Sequence, residues 1–447
     1  MFFSPIQSPV EKHPHLFNFE TKYPPDSPYI RSAVQNFHTH YQGCLIDGMD
    51  FVIDLNKLQP SLAGKNSLEV ATVGCHGEKP GDKSYPNKQI IKNLICKSNS
   101  DIVITAGDNW YKSGLKTYPP FKKKPLEKTG PRYEPMMEAF ITDVLGYIDP
   151  AYTDPAFPTT PRPISRHIFN IAGNHDYGIE DEWAKLWHNI PTFQGSPASF
   201  GRLISQFEAT YKSMGRYASQ DNYPHMHFPY RYYTIVKKFS NGAAVIFYCL
   251  DSNFLLWDKA QHDYFLKTYL ELERRFPTAV HFVVQHHPLI SLGRRGGSHT
   301  DELKLYVNLL KETGDNKDYI LNTPINLQDN MARLLYQYHR ELRAGGMNIT
   351  GFIAAHDHHT AVFQNLFGDP NVWEFNVGGG GGILQAINKE HVALIRSQNH
   401  HIHVDKEIFA YGQLKFSAEG NSIKLSASII KQQGEVDWQG VWMPVVA

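Results

Sequence analysis

Four short segments place metal-binding side chains at the ends of apolar runs: Asp108 in GDNWY, Asn174 in GNHDY, His286 in QHHP, and His356 and His358 in AHDHH. Carboxylate oxygen, amide oxygen and imidazole nitrogen suit hard or borderline di- and trivalent metals. One carboxylate, such as that of Asp108, can bridge two ions about 3.5–4 Å apart, the separation used by two-metal hydrolases. His356 and His358 stand two apart, which in an extended strand would put both rings on one face, where they could serve two ions or flank one. A lone strand-end histidine is more often a hydrogen-bonded core residue, and the chain has 23 histidines. The reading therefore rests on the conjunction of the four segments.

Elements able to position these residues recur through the chain. The runs LEVATVG, DIVITAGD, HIFNIAGN, AAVIFYCLD, VHFVVQHH and TGFIAAHD read as buried strands, each delivering a polar loop at its carboxyl end. Between them NKQIIKNLI, EPMMEAFITDVLGYI, AQHDYFLKTYLELERRF and NMARLLYQYHRELRA carry helical periodicity. Alternating strands and helices give an α/β class, and the carboxyl ends of such strands are where ligands gather. Residues 1–66 read as an N-terminal extension packed on the core, with a helix opening at Ser27-Pro28. Residues 67–447 read as the catalytic domain. The Lys- and Pro-rich stretch from Lys112 to Tyr133 reads as a solvated loop, or as basic residues for an acidic substrate, and Ser291 to Asn326 as a segment covering the site. Gly378 to Gly382 follow the strand-like VWEFNV and lack a Gly-x-Gly or Gly-Lys phosphate pattern, which leaves a flexible turn or a close backbone approach to the site. YGQLKFSAEGNSIKLSASII alternates around Glu419-Gly420-Asn421 as a hairpin.

Composition limits the partners. Forty-four basic and 44 acidic residues cancel, so no bulk field favours nucleic acid or an anionic membrane, and selectivity for phosphate must be local. No run approaches the length of a membrane span, and the first residues lack a basic-then-apolar signal, so a soluble, cytoplasmic chain is the default, with export by another route left open. Four cysteines without CxxC spacing argue against a disulfide framework and for a reducing compartment.

The order GDNWY, GNHDY, HHP, HDH resembles the metallophosphoesterases, and Tyr111, three residues after Asp108, is similar to the purple acid phosphatases of the small tartrate-resistant type. AGDNWYKSGLKT, FPYRYYTIVKKF with VIFYCLDSN, and AHDHHTAVFQ with NVGGGGG extend the likeness from Ser67 to Ile430, with insertions near 118–163, 183–219 and 294–326. The resemblance implies an αββα four-layer sandwich of two mixed β-sheets flanked by helices. It implies two metal ions, Fe with Fe, Zn or Mn. Asp108 would bridge them, Tyr111 and His358 would hold the first, and Asn174, His286 and His356 the second. His175 would lie near the leaving oxygen as general acid, with His287 beside it. The substrate would be a phosphorylated small molecule or a phosphoprotein.

One position departs from the family. Its first motif is a Gly-Asp-x-Gly at the end of the first strand, whose Asp serves the first metal, and TVGCHG has Cys75 in the place of that Asp. Cys75 as thiolate or His76 as imidazole could substitute, or Cys75 could be a buried apolar residue beside a weakly held or absent metal. Arg294 and Arg295, downstream of His286, are candidates for gripping phosphate bidentately. Two other functions stay open: a catalytically degenerate phosphatase fold used as a binding or scaffold module, and a phosphodiesterase.

Overall fold

A computed structural model describes residues 28–111, 133–149, 166–177, 197–213, 224–253, 255, 258–293 and 330–442. Fifteen strands among these residues form two mixed sheets. The first has seven strands. Its parallel half is β2 (Ser67–Val73), β3 (Ile102–Thr105), β4 (His167–Asn170) and β5 (Met226–His227), and β13 (Ala410–Glu419), β14 (Ser422–Lys431) and β15 (Val436–Trp442) continue it antiparallel, in the order β15-β14-β13-β2-β3-β4-β5. The second has eight: β1 (Val52–Asp54), β6 (Tyr233–Lys238), β7 (Ala244–Cys249), β8 (Val280–Val284), β9 (Gly351–Ala354), β10 (Thr360–Gln364), β11 (Trp373–Val377) and β12 (His401–Lys406), in the order β1-β6-β7-β8-β9-β11-β10-β12. Strands β7, β8, β9 and β11 run parallel. All six strands expected from the apolar runs form, and the 419–421 hairpin joins β13 to β14.

The period-two side-chain rule explains why these strands are apolar throughout. In β7, Val245, Phe247 and Cys249 face a core between the sheets, whereas Ala244, Ile246 and Tyr248 face a second core outside the eight-stranded sheet. In β3, Ile102 and Ile104 face the same inner core and Val103 a third one, outside the seven-stranded sheet. Each outer core is roofed by helices: α2 (Tyr85–Lys97) and α3 (Tyr133–Leu145) over one sheet, and α5 (Lys259–Arg275), α6 (Asn330–Ala344) and α7 (Lys389–Ser397) over the other. Three cores separate four layers, so the fold is the α/β sandwich of two mixed sheets flanked by helices. Two of these helices have clear starts, with Asp258 accepting from the N–H groups of Ala260 and Gln261, and Asn388 from those of Glu390 and His391.

The N-terminal region enters the same layers. Helix α1 (Pro28–Tyr41) turns Ala33, Phe37 and Tyr41 onto one buried face, as a spacing of four requires, and β1 pairs parallel with β6 at the edge of its sheet. Tyr41 Oη lies 2.6 Å from His227 Nδ1, and His227 Nε2 lies 2.8 Å from His167 Nδ1, so a buried relay ties α1 to β5 and β4. Helix α4 (Pro197–Lys212) packs Phe207 edge-on to Phe228 beside it.

Burial, and then neighbouring histidines (His225 for His167, and His167 with His225 for His227), hold both rings well below the ordinary imidazole value. Both are neutral in the folded chain but accept protons when unfolded below pH about 6.5, so stability is full above that value and is lost as the pH falls from it. Urea midpoints should fall between pH 7.5 and 5.5, and a His167→Gln, His227→Gln chain should lose less over the same interval. Equal losses in the two chains would show that these histidines do not drive the effect.

Candidate metal centre

The carboxyl ends of the two sheets close on each other. Gly74 donates its N–H to Val377 O at 3.0 Å, and His286 Nδ1 reaches Ala106 O at 2.7 Å, so bonds run from one sheet to the other. A Cβ on Gly74 would stand 2.3 Å from that of Ala355, so only glycine fits between the sheets here. The loops after β2, β3, β4, β8 and β9 therefore empty into one place.

Asp108 lies at its centre, fully buried. Its backbone is left-handed (φ 59°), as are those of Cys75 (52°) and His356 (63°). Such conformations cost roughly 1–3 kcal/mol each in non-glycine residues and collect where a side chain must be aimed against local preference. Asp176 fixes the turn: its carboxylate accepts from the N–H groups of Gly173 (2.8 Å), Asp108 (3.0 Å) and Asn109 (3.0 Å) and from Asn109 Nδ2 (3.0 Å). The loops after β3 and β4 are thereby bound to one carboxylate. Burial, then the Asp108 charge, push Asp176 up to about 7. Burial would also raise Asp108, but His286, His175 and His358, with the backbone N–H of His175, outweigh it and hold this carboxyl well below the usual range.

Two groups of donors meet at Asp108. In one, Asn174 Oδ1, His286 Nε2 and His356 Nδ1 stand 2.9, 3.2 and 3.2 Å apart, with Asp108 Oδ1 3.3 Å from His286 Nε2. Ala106 O can only accept, so the His286 proton sits on Nδ1 and Nε2 presents a lone pair to the lone pairs of Asn174 Oδ1. Facing acceptors at this distance call for a proton or a metal cation between them. Three ligands about 2.0–2.1 Å from one ion stand about 2.9–3.4 Å apart, so the triangle fits a metal. In the other group, Cys75, Asp108 and His358 each bring a ligand atom within 4.8 Å of the others. His358 Nδ1 donates to Ile383 O at 2.9 Å, which frees Nε2 toward Tyr111 Oη at 3.0 Å, and Tyr111 Oη lies 3.1 Å from Asp108 Oδ2. Thiolate, carboxylate, imidazole and phenolate are a sound donor set for iron or zinc, so this group fits a metal as well.

The expected residues fall into place unequally. Cys75 reaches the site, whereas His76 turns away to Asn109 Oδ1 (3.2 Å) and the edge of Tyr147 (5.0 Å between ring centres). Burial holds His76 down to about 3. His356 and His358 are not on a strand, because β9 ends at Ala354 and the left-handed turn at His356 sends the two rings to different donor groups. His175 stands with Nε2 4.0 Å from Asp108 Oδ2 and packs edge-on to Tyr111, ring centres 4.4 Å apart. His287 packs at 4.5 Å from the ring of His356. Arg294 and Arg295 lie outside the described residues, as does most of each expected insertion.

Sequence reading missed the supports. Asp176 was visible in GNHDY but carried no role, and Ser252 was hidden in a strand-end LDSN. The glycine run makes the close approach: Gly382 donates to Cys75 O at 2.8 Å, and a Cβ there would stand 2.7 Å from His358 Cε1. No disulfide forms among the four cysteines, all of them buried.

No family model matches the chain, and no curated protein matches its sequence. Among solved structures, one titled GAP50, the anchor in the inner membrane complex of Plasmodium, is similar over 85% of this chain and 90% of its own at 14% identity and a TM-score of 0.43. Another, titled the structure of PhoD, is similar over 86% of this chain and 71% of its own at 12% identity and a TM-score of 0.45. Both scores lie below 0.5, and the fold rests on the sheet order itself.

Removing the Asp176 acceptor strands several buried N–H groups. Asp176→Ala should cost about 3–5 kcal/mol of unfolding free energy, read from urea titration, and a loss under about 1 kcal/mol would show the loops hold without it.

Proposed function

We propose that this chain is a metal-dependent phosphatase of the metallophosphoesterase kind, hydrolysing phosphomonoesters of small molecules or proteins. The supporting observation is the meeting of two donor groups on one buried carboxylate. In this reading Cys75, Asp108, Tyr111 and His358 would hold one ion, and Asp108, Asn174, His286 and His356 the other, with Fe beside Fe, Zn or Mn. The ions, when bound, supply Lewis acidity for the phosphoryl oxygens and a nucleophilic water near neutral pH.

The remaining work belongs to side chains. Protonated His175, held near Asp108 and against the Tyr111 ring, would give its proton to the departing alkoxide oxygen, a step worth roughly 10²–10⁴ in rate. Ser252 Oγ accepts the N–H groups of His286 (3.2 Å) and His287 (3.0 Å), so its own proton goes to His287 Nδ1 at 2.9 Å. His287 then carries its hydrogen on Nε2, as a donor for a phosphoryl oxygen. Arg294 and Arg295 are proposed as further phosphate contacts. No helix among the described residues is long and apolar enough to cross a membrane, and four cysteines without a disulfide suit a reducing compartment such as the cytoplasm.

Cys75 supports a second reading, in which the fold survives as a binding or scaffold module with an altered first site. Metal analysis beside turnover of p-nitrophenyl phosphate and its bis-ester separates the readings. The phosphatase reading expects metal-dependent turnover that favours the monoester, a 10²-fold or larger loss of kcat in His175→Ala, and about one metal equivalent fewer in Cys75→Ser. Metal-loaded protein without turnover, with His175→Ala indistinguishable from the parent, would leave the scaffold; preference for the bis-ester would make it a phosphodiesterase.

A further inference from the structure

The loop after β8 has its backbone held from several elements. Gln285 gives an Nε2 hydrogen to His287 O at 2.8 Å, and its Oε1 faces His339 Nε2 of α6 at 3.0 Å. Glu374 of β11 accepts the N–H of Leu289 at 3.0 Å. The main chain of His287 is therefore fixed, and its ring is what remains to be set. Ser252 Oγ lies 2.9 Å from Nδ1 of that ring, so the direction of this hydroxyl decides which ring nitrogen carries the hydrogen.

The hydroxyl is aimed in turn by the residues around it. Asp251 Oδ1 accepts the N–H of Asn253 at 3.1 Å and an Asn253 Nδ2 hydrogen at 2.9 Å, which closes a tight turn over Ser252. Gln261, in the first turn of α5, takes the N–H of Asp251 on Oε1 at 2.7 Å and gives an Nε2 hydrogen to Asp251 O at 3.1 Å. One side-chain amide thus holds both main-chain groups of the residue before the serine. Arg231, just before β6, joins the two segments: its Nε lies 3.1 Å from Asp251 Oδ2 and its Nη2 2.6 Å from Oδ2 of Asp258, the cap of α5. Arg231, Asp251, Ser252 and Gln261 are all buried, and His287 keeps 7% of its surface. An arginine between two buried carboxylates and an amide bonded on both edges leave this turn little freedom, because moving it would strand a charge or a polar group away from water.

We propose that Asp251, braced by Arg231 and Gln261, is a positioning residue for His287: it aims Ser252 Oγ, and through that hydroxyl keeps the His287 hydrogen on Nε2. The use of that hydrogen as a donor to a phosphoryl oxygen rests on the phosphatase reading, whereas its placement does not. In the other tautomer Nε2 would offer a lone pair to an oxygen that has only lone pairs of its own, so the same ring would repel the group it is placed to hold.

Heteronuclear NMR of the full chain, carrying labelled histidine and loaded with diamagnetic Zn²⁺, tests it, the His287 signals being those absent from a His287→Gln chain. The parent should carry the hydrogen on Nε2, and Asp251→Ala and Gln261→Met should each show a mixture of both tautomers while keeping the parent's circular dichroism spectrum. Inorganic phosphate, titrated calorimetrically into the same chains, should bind about tenfold more weakly to Asp251→Ala and to Ser252→Ala, and no more weakly again to the double variant, because the aspartate acts through the serine. A folded Asp251→Ala or Gln261→Met chain in which His287 keeps its hydrogen wholly on Nε2 would overturn the proposal, as would losses that add in the double variant. Failure of the phosphatase reading looks different: the parent neither turns over p-nitrophenyl phosphate nor binds phosphate, while the tautomer still follows Asp251 and the placement stands.

Discussion

The arrangement depends on two sheets meeting at their carboxyl edges closely enough to share hydrogen bonds. Gly74 to Val377 and His286 to Ala106 are the bonds that make the approach. They bring loops from both sheets around Asp108, a carboxylate that no single sheet could surround. A side chain on Gly74 would hold the sheets apart, and the loops would then open away from one another.

Close approach has an electrostatic consequence. Excluding water from Asp108 penalises its charge, and the backbone N–H of His175, with positive charge on the histidines around it or on a cation that they hold, offsets that penalty. Asp176 holds the backbone of the turn from the other side, so the negative charge is fixed in position as well as stabilised. Carbonyl oxygens settle the histidines: Ala106 O and Ile383 O each take an Nδ1 proton and leave an Nε2 lone pair directed inward. The interior is thus preorganised for positive charge by groups that bind no metal themselves.

Structural pressure and chemistry separate cleanly at residues 74–76. Gly74 is required by packing, Cys75 is turned into the donor set by a left-handed backbone, and His76 is committed to Asn109 and Tyr147. A second bent segment lies at residues 356–358, where the left-handed turn at His356 sends its ring to one donor group and that of His358 to the other. In both places a short, tightly bent segment after a parallel strand supplies two environments.

Much was legible in the sequence alone. Apolar runs of four to seven residues with both faces buried identify the strands, because period two is set by the backbone and needs no partner to be read. The α/β class, the hairpin at Gly420 and the residues Asp108, Asn174, His286, His356 and His358 follow from type and position at strand ends. Tertiary structure decided the rest. Whether Cys75 or His76 entered the site turned on one φ angle, and the division of His356 from His358 turned on another. Asp176, Ser252 and the glycine run act through backbone groups far away in sequence, and pairwise geometry of that kind leaves no periodic trace in a chain.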